Sequence, residues 1–482
     1  MKSSKKLSIV QMNDNHAYFD LHQEMFWQGD HAVYRPAGGY ARIATIVKQI
    51  RAESQGRILF CDCGDTLHGT YPALNTQGQA LIPILNSLGL DAMTAHWEFA
   101  YGPKVFNQRV AELNYPMLAN NVYDKETKKP VYQSYAVKEI GGLRIGLVGI
   151  ASNIVDKTMP PSYSEGISFT LGKDELQSTI DTLRPQEKVD LIVLVSHLGF
   201  PQEMKLLSEV HGVDICLSGH THNRLYKPVL NGKTIVIQSG CHGSFLGRLD
   251  LEVEEGQIVD YRHRLIEVEA AIQPDPTVDE LIRQALAPYK NDLSEVVGET
   301  TTALNRGTTL EATMDNFLLQ ALLESTGAQL AFSNGWRYGA PIVPGKITLN
   351  DLYNIIPMNP PVSTVELTGE ELLVMLEENL ERTFSCDPYQ QMGGYVKRCL
   401  GLNVYFKIEN PPGQRIQKLF AGDEEVQPGQ YYTAAFVTPQ GVPQKYGRNR
   451  ENRSERIIDA LRKYLAAHHP IHAELRDAFV AV

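Results

Sequence analysis

The sequence predicts an α/β first domain, a linker helix and a smaller α+β domain. Three observations carry this. Over roughly the first 270 residues, short apolar runs alternate with amphipathic stretches. Two prolines then lead into a long amphipathic stretch from residue 275. Beyond residue 300, Gly- and Pro-rich turns interrupt strands and helices. Short β-rich runs separated by helical patterns build a sheet covered by helices.

The elements follow in chain order. LSIVQM, ILFCD, LRIGLVGI, LIVLVS, DICLS and TIVIQS read as strands, buried enough to be almost wholly apolar. ARIATIVKQIRAE and DELQSTIDTLRP carry apolar residues at helical spacing. Pro274 and Pro276 precede TVDELIRQALAPYKNDLSEVV, a helix-start signal, and the reading is one linker helix. Further on, LEATMDNFLLQALLEST and TGEELLVMLEENLERTF read as helices among the turns NGWRYGAPIVPG, MNPPVS and VTPQGVPQ. The expected division is residues 1–274, a linker helix over 275–297, and residues 298–482.

Composition narrows the function classes. The 482 residues carry 45 basic and 56 acidic side chains, a net charge of -11. A nucleic-acid polymer needs a basic face, so it is an unsuited partner, whereas a small anion can be held by a local site. No apolar run approaches the ~18 residues of a membrane span, and LSIV is too short for an export signal. Six cysteines are too few for a disulfide framework, and Cys61 and Cys63, inside ILFCDC, read as buried strand thiols. The expected compartment is the cytoplasm.

Chemistry gathers at the strand ends. LSIVQMN runs into Asp14 and His16, ILFCDCG into Asp65, LIVLVS into His197, and DICLSG into His220 and His222. In open α/β sheets ligands sit beyond the carboxyl ends of the strands. A lone Asp-x-His is more often a turn residue and a lone His a polar loop residue. Four strands converging on one sheet edge with two carboxylates and four imidazoles point instead to metal. Oxygen and nitrogen donors without a Cys ligand suit Mn²⁺, Fe or Zn²⁺. Six ligands exceed one site, so two divalent ions are expected, Mn²⁺ foremost, with Asp65 bridging them.

These blocks, MNDNHA, CGDTLHG, AHWEFAYG, SHLG and GHTH, with SNGWRYGAPIVPGKITLNDLYNIIPMNP downstream, resemble the 5′-nucleotidase branch of the calcineurin-like metallophosphoesterases along nearly the whole chain. The resemblance implies a four-layer α/β/β/α metallophosphoesterase domain followed by a nucleotide-binding domain. It implies one ion on Asp14, His16, Asp65 and His222, and a second on Asp65, His96, His197 and His220. It further implies Arg337 on the phosphate and Tyr395 and Tyr446 stacking a base, although each tyrosine is also an ordinary packing residue.

The departures matter as much. Where the family has Gly-Asn-His-Glu-Phe-Asp, this chain has Ala95-His96-Trp97-Glu98-Phe99-Ala100. Trp97 and Ala100 stand where the family's proton-donating His and its orienting Asp would be. No general acid is therefore assigned, a loss that typically costs about 10²–10⁴ in rate. The altered block and DPYQQMGG resemble thiosulfohydrolase relatives, which release sulfate from a cysteine on a protein arm. The leading expectation is hydrolysis of nucleoside monophosphates or related phosphomonoesters by a hydroxide bridging two metals, with a small nucleotide or nucleoside as partner. Hydrolysis of a protein-bound cysteine S-sulfonate, which alone requires a protein partner, stands second. A nucleotide-binding protein with little turnover stands third.

Overall fold

Lys5–Met12, buried from Leu7 onward, is the strand on which the first sheet grows. In the computed structural model, which describes residues 4–336, 338–393 and 395–482, it pairs in parallel with Ile58–Asp62 and antiparallel with Phe245–Glu254. Ala92–Met93 and Gln257–Glu267 complete a five-stranded sheet. A second, six-stranded sheet runs Val229–Asn231, Thr234–Ile237, Ile215–Ser218, Leu191–Ser196, Leu143–Ile150, Tyr135–Ile140. Its four central strands are mutually parallel. Strands covered on both faces need apolar residues throughout, and all six positions of Leu191–Ser196 are buried.

The period-two alternation sorts these side chains into layers. Leu7, Ile9, Leu59 and Cys61 of the first sheet share a core with Ile145, Leu147, Val193 and Leu217 of the second. Val10, Met12 and Phe60 point the other way, onto the helices Tyr40–Glu53, Ile82–Leu88 and Pro276–Leu286. Lys173–Leu183 covers the second sheet, where a Cβ at Gly146 would lie 3.0 Å from Leu183. The result is the α/β/β/α layering. It corrects the single sheet read from the strand ends, because the site-bearing strands come from two stacked sheets.

The chain resolves into two compact units, residues 1–22 with 35–288, and residues 23–34 with 289–482. The sequence reading did not foresee the strands His22–Gln28 and His31–Ala37. Both are half exposed and mix polar with apolar residues, so neither shows as an apolar run. The single helix expected over 275–297 is two, Pro276–Leu286 and Lys290–Leu293. Asp275 caps the first by accepting from the Val278 N–H at 3.2 Å. Pro288 then ends it, having no N–H to donate and a ring that crowds the preceding turn. Val278 and Ile282 lie in the core of the first unit, so this helix belongs to that unit's packing.

In the second unit a sheet runs Arg398–Leu400, Leu330–Ser333, Tyr431–Phe436, Pro361–Thr368, Arg448–Arg456, with helices Thr313–Thr326, Gly369–Phe384 and Ile457–Ala467. Thr368 and Glu371 form a capping box at the start of Gly369–Phe384. The six cysteines are free, with Cys61 and Cys63 fully buried. Among the described residues, no helix is long and apolar enough to cross a membrane.

Candidate metal centre

The carboxyl ends of both sheets of the first unit meet. From the first sheet come Asp14 and His16 after Lys5–Met12, Asp65 after Ile58–Asp62, and His96 after Ala92–Met93. The second sheet brings His197 after Leu191–Ser196, and His220 and His222 after Ile215–Ser218. All seven sequence-identified donors assemble in two groups, Asp65, His96, His197, His220 and Asp14, His16, His222; within each group one donor atom per residue lies within 4.8 Å of the others.

Distances tie the groups together. Asp65 Oδ1 is 3.2 Å from His96 Nδ1, while Asp65 Oδ2 is 3.2 Å from His197 Nε2 and 3.8 Å from His16 Nε2. The carboxylate thus reaches donors of both groups, as a bridging ligand must. Asp14 Oδ1 lies 3.2 Å from His222 Nε2 and 3.7 Å from His197 Nε2. His16 Nε2 and His222 Nε2 face each other at 3.2 Å. Buried carboxylate and imidazole donors converging in this way fit divalent cations of the Mn²⁺, Fe or Zn²⁺ class.

Electrostatics in the polypeptide alone show how closely the charges are balanced. Burial works against the carboxylate of Asp65, but His96 and His197 outweigh it and hold the group well below the usual carboxylate range. Burial likewise opposes charging of His197, and the Asp65 and Asp14 carboxylates overcome it, pushing the imidazole up to about 10. Burial wins at His16, which falls to about 3. The Asp65 carboxylate is thus kept ionised in a buried setting.

Main-chain groups aim these ligands. The His220 N–H donates to both oxygens of Asp14, at 3.1 and 2.9 Å, and Asn13 Nδ2 donates to Oδ2 at 2.7 Å. His197 Nδ1 donates to the Cys63 carbonyl, leaving Nε2 directed at the carboxylates. A Cβ at Gly219 would lie 2.9 Å from His197 Nδ1 and 3.1 Å from that carbonyl, so glycine is required there. Five of the seven donors, Asp14, His16, Asp65, His220 and His222, sit with Ala17 in the left-handed region, at φ between 47° and 71°. For non-glycine residues that is stored strain.

Glu98 and Asp62 were not singled out in the sequence. Glu98, fully buried, accepts main-chain N–H groups from His96, Asp65, Thr66 and Leu67. Asp62 Oδ1 accepts from the Gly64 N–H and the Thr66 hydroxyl; burial raises its carboxyl to about 7. The available signal was a carboxylate adjacent to the ligand blocks, in CDCGD and HWEF.

Trp97 donates its main-chain N–H to Asp65 Oδ1 at 2.7 Å, and its indole stacks on His68 at 5.0 Å between centroids. Ala100 packs against the core. Arg337 lies outside the described residues. In the second unit, Tyr395 lies under the Arg398 guanidinium at 5.0 Å, and Tyr446 is buried in the apolar core, 6% exposed, in a packing environment.

Comparison with known proteins adds to this geometry. The calcineurin-like phosphoesterase family model matches residues 7–224, and that of the 5′-nucleotidase C-terminal domain matches residues 296–438. The trifunctional nucleotide phosphoesterase protein YfkN of Bacillus subtilis is 27% identical over 459 residues, 85% of this chain but 30% of that protein. The 5′-nucleotidase of Bos taurus is 27% identical over 460 residues, 86% of this chain and 78% of that protein. The solved structure of Thermus thermophilus sulfate thiohydrolase SoxB superposes with a TM-score of 0.91 at 25% identity, covering 98% of this chain and 95% of that one.

Proposed function

The chain belongs to the calcineurin-like phosphoesterases that carry a 5′-nucleotidase C-terminal domain, a family of metallohydrolases, and from that premise we propose that it hydrolyses nucleoside monophosphates or related phosphomonoesters at a two-metal centre. The observation that supports this most is the pair of donor groups linked through Asp65. Asp65, His96, His197 and His220 would hold one divalent ion, and Asp14, His16 and His222, with Asp65, the other. When bound, such ions lower the pKa of a coordinated water and neutralise phosphoryl oxygens. Mn²⁺ is the ion proposed. The free cysteines suit a reducing compartment, the cytoplasm.

The polypeptide's own part is positioning. His197 is held in one tautomer by the Cys63 carbonyl, Asp14 by the His220 N–H, and Asp65 by the Trp97 N–H. Residues 298–482 would select the substrate, with Arg337 on the phosphate and Tyr395 beside the base. Tyr446, buried in the apolar core of the second unit, is left out of the proposed base contact.

A second reading has its own support. Trp97 and Ala100 leave the leaving group without the family's proton donor, and a thiolate needs none. With the likeness to the SoxB sulfate thiohydrolase, this favours release of sulfate from a cysteine S-sulfonate on a partner protein. The two readings separate in one experiment. The protein is reconstituted with Mn²⁺ and offered nucleoside monophosphates, p-nitrophenyl phosphate and an S-sulfocysteine peptide. Phosphate release from the nucleotides is expected. Sulfate release alone moves the assignment to the second reading, and no phosphate from any ester at confirmed metal occupancy rejects the first.

A further inference from the structure

In the second unit, two buried guanidinium groups share one carboxylate. Asp315, fully buried on the helix Thr313–Thr326, accepts from Arg306 Nε at Oδ1 and from Arg398 Nε at Oδ2, each at 3.1 Å. Both arginines are 1% exposed. One carboxylate against two guanidinium groups leaves a surplus positive charge out of water, which is costly unless main-chain oxygens take up the remaining N–H groups. Arg306 Nη1 donates to the Tyr338 and Ile355 carbonyls, both at 2.9 Å. Arg398 donates to the carbonyls of Thr309 at 3.0 Å and Thr308 at 2.5 Å.

The same two guanidinium groups lie beside two glycines. A Cβ at Gly335 would lie 3.3 Å from Arg398 Nε, and one at Gly339 would lie 3.2 Å from Arg306 Nη1. Both glycines have positive φ, +69° and +119°, so the backbone approaches the guanidinium groups where a side chain could not. Arg398 therefore lies against Gly335, and Arg306 against Tyr338 and Gly339. Arg306 also lies 5.8 Å from the Trp336 ring, and Arg398 lies 5.0 Å from that of Tyr395.

We propose that the Arg306–Asp315–Arg398 cluster is a positioning device: by holding the Tyr338 carbonyl, lying against Gly335 and Gly339 and backing Tyr395, it sets the affinity for the nucleoside part of the substrate. This rests on the nucleotide reading above. For stability alone, well-packed apolar residues would serve as well or better. Planar guanidinium forks on a shared carboxylate instead impose a defined spacing. The cluster acts on KM and leaves kcat alone, because the Asp65 centre contains none of its members.

The test uses Arg306→Lys and Arg398→Lys, which keep the charge and lose the fork; Asp315→Asn would leave two buried cations on an uncharged partner and unfold too readily to be informative. Circular dichroism and unfolding midpoints establish that the variants fold. KM for nucleoside monophosphates should rise about 10- to 100-fold, the loss expected for a buried hydrogen bond to a charged group, with kcat nearly unchanged. KM for p-nitrophenyl phosphate, which shares the phosphate contact proposed for Arg337 but has no nucleoside, should rise by a clearly smaller factor. Unchanged nucleotide KM in the folded variants, or an equal rise for both substrates, overturns the positioning role while the nucleotide reading stands. A wild-type enzyme that cleaves p-nitrophenyl phosphate and has no affinity for any nucleoside monophosphate overturns both.

Discussion

Glu98 accepts four main-chain N–H groups, one from His96 and three from the Asp65–Leu67 loop, and so fixes the spacing of two of the proposed ligands without being one. Glu98→Gln would turn an acceptor oxygen into an amide facing N–H donors. Metal affinity should then fall about 10–100-fold, measured by titration calorimetry, as is usual when a supporting partner is lost. Folding stability should fall by about 1–3 kcal/mol in chemical denaturation, the cost of stranding buried donors. At this scale the clustered donors were legible because Asp and His recur directly after apolar runs, and chance placement explains four such ends poorly. Glu98 was not, because its role lies in backbone hydrogen bonds that a residue pattern does not encode. Tyr395 and Tyr446 illustrate the same limit: nothing in the sequence distinguishes a tyrosine that packs from one that faces a ligand.

At the scale of elements, the 3₁₀ turn Trp97–Tyr101 decides which chemistry the centre can assist. Residues 97 and 100 lie three apart, on the same side of such a turn, as a donor and its orienting partner require. Combining His96→Asn, Trp97→His and Ala100→Asp should raise phosphomonoesterase turnover by up to about 10²–10⁴-fold, the usual worth of a general acid. The gain should be largest for nucleotides and smallest for p-nitrophenyl phosphate, whose leaving group needs no proton; a uniform change would reject a proton-transfer role for this turn. Strands such as Leu191–Ser196 were readable because both their faces are covered, which forces an unbroken apolar run. The half-exposed strands His22–Gln28 and His31–Ala37 show no such run. The helix break at Pro288 was readable in principle, and amphipathic periodicity on both sides masked it.

For the whole molecule, the net charge of -11 and the proposed small anionic substrate are reconciled locally, because bound cations would supply the positive charge that the surface lacks. Each of the two units has its own apolar core, and the metal donors belong to the first alone. Denaturation should therefore show one transition that Mn²⁺ moves upward, by about 2.7 kcal/mol at a hundredfold excess over Kd, and one that it leaves in place. Asp65→Asn should cancel that shift and abolish activity, and a shift that survives would reject the bridging role. The left-handed residues around the centre carry a last implication, for anyone redesigning the protein. The ordinary way to relax such backbone is to substitute glycine, but glycine has no donor atom, so Asp14, His16, Asp65, His220 and His222 are closed to that remedy. Ala17, at φ 57°, remains open to it: Ala17→Gly should raise the unfolding midpoint, with a gain of up to about 1 kcal/mol. Handedness therefore divides these loops into positions that must keep their strain and one that can give it up.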